Sequence, residues 1–170
     1  GMSNEVVPDA ETVLPKNLCP LIKSTYGFAL TEKCPYTYFA DIIVGDSTCD
    51  GKKKMYELLN EIKETYVLHL PQGQDRNYVN KIWREEFALL IKKLEDKFGV
   101  EITEEKLREA VRKRNRLRRA TVDMFELQQT CPPAMLGSEL MHIRQLGTFT
   151  FNLDEQINNL ETRVAQAKAA

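Results

Sequence analysis

The chain has 170 residues, 42% of them hydrophobic, with 24 Lys and Arg against 25 Asp and Glu and a formal net charge of −1. A chain of this length buries roughly two-thirds of its unfolded surface and supports one ordinary core, and a charge near zero excludes a general attraction to nucleic acid or an anionic membrane. No apolar run approaches the ~20 residues of a membrane helix and Gly1 to Asn4 have no signal-peptide character, so the expectation is a cytosolic protein whose four cysteines are thiols or metal ligands rather than disulfides.

Residues 1–18 are polar, contain Pro8 and Pro15, and read as a loose entry segment. Pro20 is well placed as a first helical residue after Cys19, and Leu21, Ile22, Tyr26, Phe28, Ala29 and Leu30 predict a short helix to about Thr31. The apolar run Ala40 to Val44 predicts a buried parallel strand. Beyond it the segment Gly45 to Gly51 is a loop, and Met55, Leu58, Leu59 and Ile62 mark a helix from Lys52 to about Lys63. Thr65 to Leu70 is the next β-rich run, closing a right-handed βαβ unit.

From Asn77 the pattern turns helical. Helices are predicted over 78–98, from the Thr103 cap to about Thr130, over 138–146, and over 153–169 after Asn152. The fold class is α/β, a partial Rossmann-like parallel sheet followed by a helix-rich C-terminal half. The regions are an entry segment 1–18, an α/β region 19–76 and a helical region 77–170.

Cys19 and Cys49 each sit directly before a predicted helix, where free backbone N–H groups and the helix dipole favour a thiolate. Two buried structural cysteines would fit that placement equally. Cys34 lies in a loop that could approach them, and Cys131 at a helix end reads as structural. The spacing has no CxxC pair and matches neither a zinc ribbon nor a ferredoxin. The segment Gly45 to Lys53 superficially resembles a phosphate loop, but five residues separate Gly45 from Gly51 and no Ser or Thr follows Lys53, so nucleotide hydrolysis is not expected.

Six of the eight residues from Arg112 to Arg119 are basic. A helical wheel puts Arg108, Arg112, Arg116 and Arg119 on a solvated face and turns Arg114 and Arg118 toward Leu107, Val111 and Phe125. Arg118 is therefore expected to be at least half buried and paired with a carboxylate or an anion. His69 and His142 are isolated and read as structural.

The stretch Asn17 to Ser24 around Cys19-Pro20, then Lys33-Cys34-Pro35, then Asp46-Ser47-Thr48-Cys49-Asp50-Gly51-Lys52-Lys53-Lys54-Met55-Tyr56-Glu57-Leu58 resembles the 2-hydroxyglutaryl-CoA dehydratase D-component and benzoyl-CoA reductase family, above all its double-cubane cluster branch. Asn115 to Arg119 and Pro132 to Glu139 resemble it too.

The resemblance implies an iron-sulfur reductase or a 2-hydroxyacyl-CoA dehydratase-like lyase. Cys19 and Cys49 would be ligands of a low-potential, oxygen-sensitive cluster, four-iron or double-cubane, and Cys34 would be a further ligand in the double-cubane branch. It also implies an ATP-dependent iron-sulfur activator as electron donor, pairing into a dimer and an acyl-CoA substrate, with Arg118 and Lys52 as candidate substrate or anion contacts. Family members are about twice as long, so the chain reads as an inner segment, inactive and without a complete cluster by itself. The alternatives are a non-catalytic electron-transfer protein of the same fold and an interaction module with inert cysteines.

Overall fold

In a computed structural model describing residues 3–73 and 76–169, the chain forms two units, Gly1–Val100 and Glu101–Ala170. Each has its own apolar core.

The first unit begins with α1 (Val7–Ala10), α2 (Pro20–Leu30) and α3 (Pro35–Phe39). Strand β1 (Ile43–Asp46), helix α4 (Asp50–Ile62) and strand β2 (Thr65–Leu68) then build the βαβ unit, and α5 (Arg76–Phe98) closes it. The strands pair in parallel, Ile43 opposite Thr65 and Asp46 opposite Leu68. Their core is Ala10, Leu14, Ile22, Tyr26 and Ala29 packed against Met55, Tyr56 and Leu59. The spacing of the last three residues, i, i+1 and i+4, puts them on one side of α4.

Three details differ from the expectations. The entry segment is not loose: Val6 and Ala10 are fully buried and Leu14 nearly so. Its polar residues also find partners, because the buried ammonium of Lys23 donates to Glu11 at 2.6 Å and to the Lys16 carbonyl at 2.7 Å. The first strand starts three residues later than its apolar run, since the pairing opens with the Ile43 N–H donating to the Glu64 carbonyl and Ala40 to Ile42 lie outside the ladder. The segment before it holds α3, which Pro35 opens at the first helical position.

The second unit comprises α6 (Glu104–Glu126), a 3-10 turn (Leu127–Gln129), α7 (Gly137–Gly147) and α8 (Leu153–Ala169). Thr103 caps α6 by accepting from the Lys106 N–H at 3.3 Å, and the Asn152 side chain accepts from the Asp154 and Glu155 amides at the start of α8. The core joins Leu117, Ala120, Met124 and Leu127 to Met135, Leu140, Ile143, Ile157, Leu160 and Val164.

Here the wheel reading needs correction. The buried face of α6 runs through Leu117, Ala120 and Met124, while Leu107, Val111, Val122 and Phe125 are all exposed. Arg118 follows Leu117 by about 100° around the helix, is exposed rather than half buried, and donates to the Asn115 side-chain oxygen at 2.9 Å instead of a carboxylate. Among the described residues no helix is long and apolar enough to cross a membrane.

Candidate metal-ligand site

Parallel α/β units offer ligands a place beyond the C-terminal ends of their strands, where loops enter the following helices. Cys49 stands at that position here. It is the N-cap of α4, in extended conformation, three residues beyond the paired end of β1 at Asp46 and partly buried against the core. Cys19 is the N-cap of α2 and is exposed. Neither helix start is capped by a side chain.

The two helix starts are packed side by side, and a glycine allows it. A Cβ at Gly51 would fall 2.8 Å from Ile22 Cδ1 and 3.0 Å from Leu18 Cδ1, so the first turn of α4 rests on residues flanking Cys19. Gly45 does the same for the strand, lying flat beneath the Tyr56 ring where a side chain would not fit. Together they bring the chain segments bearing Cys19 and Cys49 to one edge of the unit.

Cys34 lies elsewhere. It is buried, the N-cap of the short α3, beside a cleft of about 360 Å³ that Phe28, Glu32, Thr37, Tyr38 and Lys63 also line. Phe28 lies in the last turn of α2 and Glu32 just beyond it, and Lys63 follows α4. The Gly51 contact with Leu18 and Ile22 joins the starts of α2 and α4, the cleft at Cys34 joins their ends, and α2 between them is roughly 16 Å long at about 1.5 Å per residue. Burial opposes the thiolate of Cys34, but the Thr37 hydroxyl and the amides of Thr37 and Tyr36 outweigh it and hold the thiol below its ordinary value.

The loop into α4 is tightly bonded. The Ser47 N–H donates to the Leu68 carbonyl at 3.0 Å, and the Leu70 N–H donates to the Ser47 hydroxyl at 2.8 Å. The Thr48 amide donates to Asp46 Oδ1 at 3.2 Å, and the Thr48 hydroxyl donates to the same oxygen. Those Thr48 bonds, with the nearby Lys52 charge, hold the Asp46 carboxyl below the usual carboxylate range. Lys52 is half-buried in the first turn of α4. Sequence reasoning missed the roles of Ser47 and Lys23, because a serine in a loop and a lysine on a helix carry no pattern that distinguishes them from solvated neighbours.

Cys131 is exposed and precedes a cis peptide bond to Pro132. His142 lines a separate cleft of about 520 Å³ between α7 and α8 with Leu146, Gln156 and Arg163, and none of the cysteines reaches it. Among the described residues no three His, Cys, Asp or Glu side chains come together in a group able to hold a metal. The chain segments that the fold packs together carry two cysteines, Cys19 and Cys49, whereas most iron-sulfur clusters require four thiolates.

The family model described as 2-hydroxyglutaryl-CoA dehydratase, D-component matches residues 1–170. The chain is also 45% identical over 166 residues to a protein of Escherichia coli (strain K12) named "Putative dehydratase subunit YjiM", covering 98% of this chain and 43% of that protein. It thus spans less than half the length of that relative.

Proposed function

Because the chain belongs to the 2-hydroxyglutaryl-CoA dehydratase D-component family, we propose that it is the cluster-ligand segment of a 2-hydroxyacyl-CoA dehydratase-like subunit, with Cys19 and Cys49 as two thiolate ligands. The observation that carries this reading is the contact of Gly51 with Leu18 and Ile22, which makes neighbours of the two cysteine-bearing helix starts.

When bound, a low-potential iron-sulfur cluster would supply single electrons for removing water from a 2-hydroxyacyl thioester. The residues of this chain do the holding. Soft thiolates at Cys19 and Cys49 suit iron, and the amides at two helix starts provide partial positive charge beside the sulfurs, which tunes a cluster's potential. Lys52 adds a full charge one turn into α4 and suits an anionic group of the substrate. Arg118, exposed in the second unit, is proposed as a second anion contact. The remaining ligands come from outside the described residues.

Cys34, the third ligand that the resemblance suggests, would serve iron at the opposite end of α2, as a double-cubane arrangement allows more readily than a single cubane. An acyl-CoA substrate, an ATP-dependent activator as electron donor, a dimeric assembly and a cytoplasmic location complete the proposal. The reduced cytoplasm suits exposed thiols and an oxygen-sensitive centre.

The test is anaerobic iron analysis of a full-length protein carrying this segment. Cys49→Ser should remove most of the visible absorbance and iron, since a hydroxyl is a poor ligand for iron-sulfur centres, and Cys131→Ser should leave both near the parent value. A full cluster in Cys49→Ser would make the inert interaction module the better reading.

A further inference from the structure

The hydroxyl of Ser47 is buried, 3% of the residue being exposed, in a loop whose residues Thr48 and Asp50 are open to solvent and whose Cys49 is half-buried. A buried hydroxyl is costly unless hydrogen-bonded, so its partners show what the fold gains from it. Both of its hydrogen bonds outside the loop lead to one place, the chain leaving β2. Through its backbone Ser47 extends the parallel ladder one step past Asp46 to the Leu68 carbonyl, and through its side chain it takes the Leu70 amide two residues further on.

We propose that Ser47 is the positioning residue for Cys49, its hydroxyl latching the cysteine-bearing loop to the exit of β2 so that the thiol is presented in one fixed place. The inference deepens the reading of this loop as a ligand loop and rests on it for its purpose, although the latch itself is independent of iron. From Ser47 to Cys49 is two residues, and the intervening Thr48 is tied back to Asp46 by its amide and its hydroxyl. On the other side of Cys49 the first turn of α4 is wedged against Leu18 and Ile22 at Gly51. The cysteine is held between two fixed points, and Ser47 supplies the one that does not belong to its own helix. A ligand held in this way does not have to be ordered again when iron binds, which favours a prearranged site.

Thiol alkylation of the 170-residue chain by iodoacetamide, read residue by residue by mass spectrometry, tests the proposal without iron. Ser47→Ala should raise the Cys49 rate about fivefold, the effect of losing one ordinary buried hydrogen bond on a local opening equilibrium, with the Cys34 and Cys131 rates unchanged. Ser47→Thr, which retains the hydroxyl, should restore the parent rate. An unchanged Cys49 rate in Ser47→Ala would overturn the latch, as would an equal rise at buried Cys34, which would indicate general loosening of the unit. Amide exchange of the parent chain gives a reading that needs no variant: the Leu70 amide should be protected, and exchange at the rate of an unstructured amide would also overturn it. Loss of iron binding by Cys49→Ser remains a separate result, so failure of the latch and failure of the ligand assignment are distinguishable.

Discussion

Lys23 is a buried cation of the first unit, with 7% of its side chain exposed against 25% for its partner Glu11. Lys23→Met retains the packed stem and strands the carboxylate. Removing one member of a fully buried pair costs about 3–5 kcal/mol, and the partial exposure of Glu11 reduces that to about 2 kcal/mol. A urea titration should show the loss as a lower midpoint with an unchanged slope. Glu64 is a different case, partly exposed and gripped by Lys93 at 2.5 Å and Lys97 at 2.6 Å. Hydrogen bonds from Lys93 and then Lys97 hold its carboxyl down at about 2, against an ordinary 4.5. A depressed carboxyl contributes stability that is complete above the unfolded value and is lost as pH falls through the folded one, so the tie from Glu64, just before β2, to α5 should weaken between pH 4.5 and about 2. Carboxyl-detected NMR should follow that midpoint and see it rise in about 1 M salt, where exposed charges are screened over about 3 Å. Neither interaction was legible in the sequence, since each joins residues distant along the chain through long side chains. The placement of Cys19 and Cys49 was legible, because a proline after one and a strand-loop-helix pattern around the other mark helix starts locally.

Helix α6 shows how an apolar pattern can mislead. Leu107, Val111, Val122 and Phe125 fall on one stripe and invite assignment as the core, yet all are exposed and the buried stripe is the shorter Leu117, Ala120, Met124. Two apolar faces on one helix cannot be ranked from one sequence, because burial depends on which face α8 meets. Arg118 was misplaced by the same ambiguity, as it lies on the stripe that stays open. Where a capping residue and a single stripe agree, the boundary is read correctly: α8 begins after Asn152 and ends at Ala169 as its periodicity predicts. Strand β1 shows the reverse, since its limits are set by the partner strand rather than by its own apolar run. The α6 assignment can be checked by paired truncations. Met124→Ala, at a fully buried position, should cost about 3 kcal/mol by removing packed atoms and leaving a cavity. Phe125→Ala, at a residue 44% exposed, should cost less than about 1 kcal/mol despite removing a larger side chain. Chemical denaturation of both variants compares them, and equal losses would mean that Phe125 has packing partners of its own.

At the scale of the whole chain, two cores of ordinary composition carry the fold, and the proposed ligand Cys49 stands beyond the C-terminal end of β1. The family match covers residues 1–170, whereas the chain covers only 43% of the E. coli relative. If Cys19 and Cys49 are the ligands proposed above, two cysteines at one edge, with no group of three metal-binding side chains among the described residues, would make an incomplete site in this chain by itself. Binding free energy for iron-sulfur centres comes from a full set of deprotonated ligands that also exclude solvent, and a half set leaves iron open to water and oxidation. The 170-residue chain, treated anaerobically with iron and sulfide and then desalted, should therefore retain little iron and lose it to a chelator within minutes. A full-length protein carrying the same segment should be brown, hold several iron atoms per chain and bleach in air. The comparison reports on ligand number rather than on folding, because circular dichroism can establish that the short chain is folded before iron is added. A chelator-resistant four-iron cluster on the short chain would show that its own residues complete the site, and the assignment of the missing ligands to residues outside the chain would fail with it.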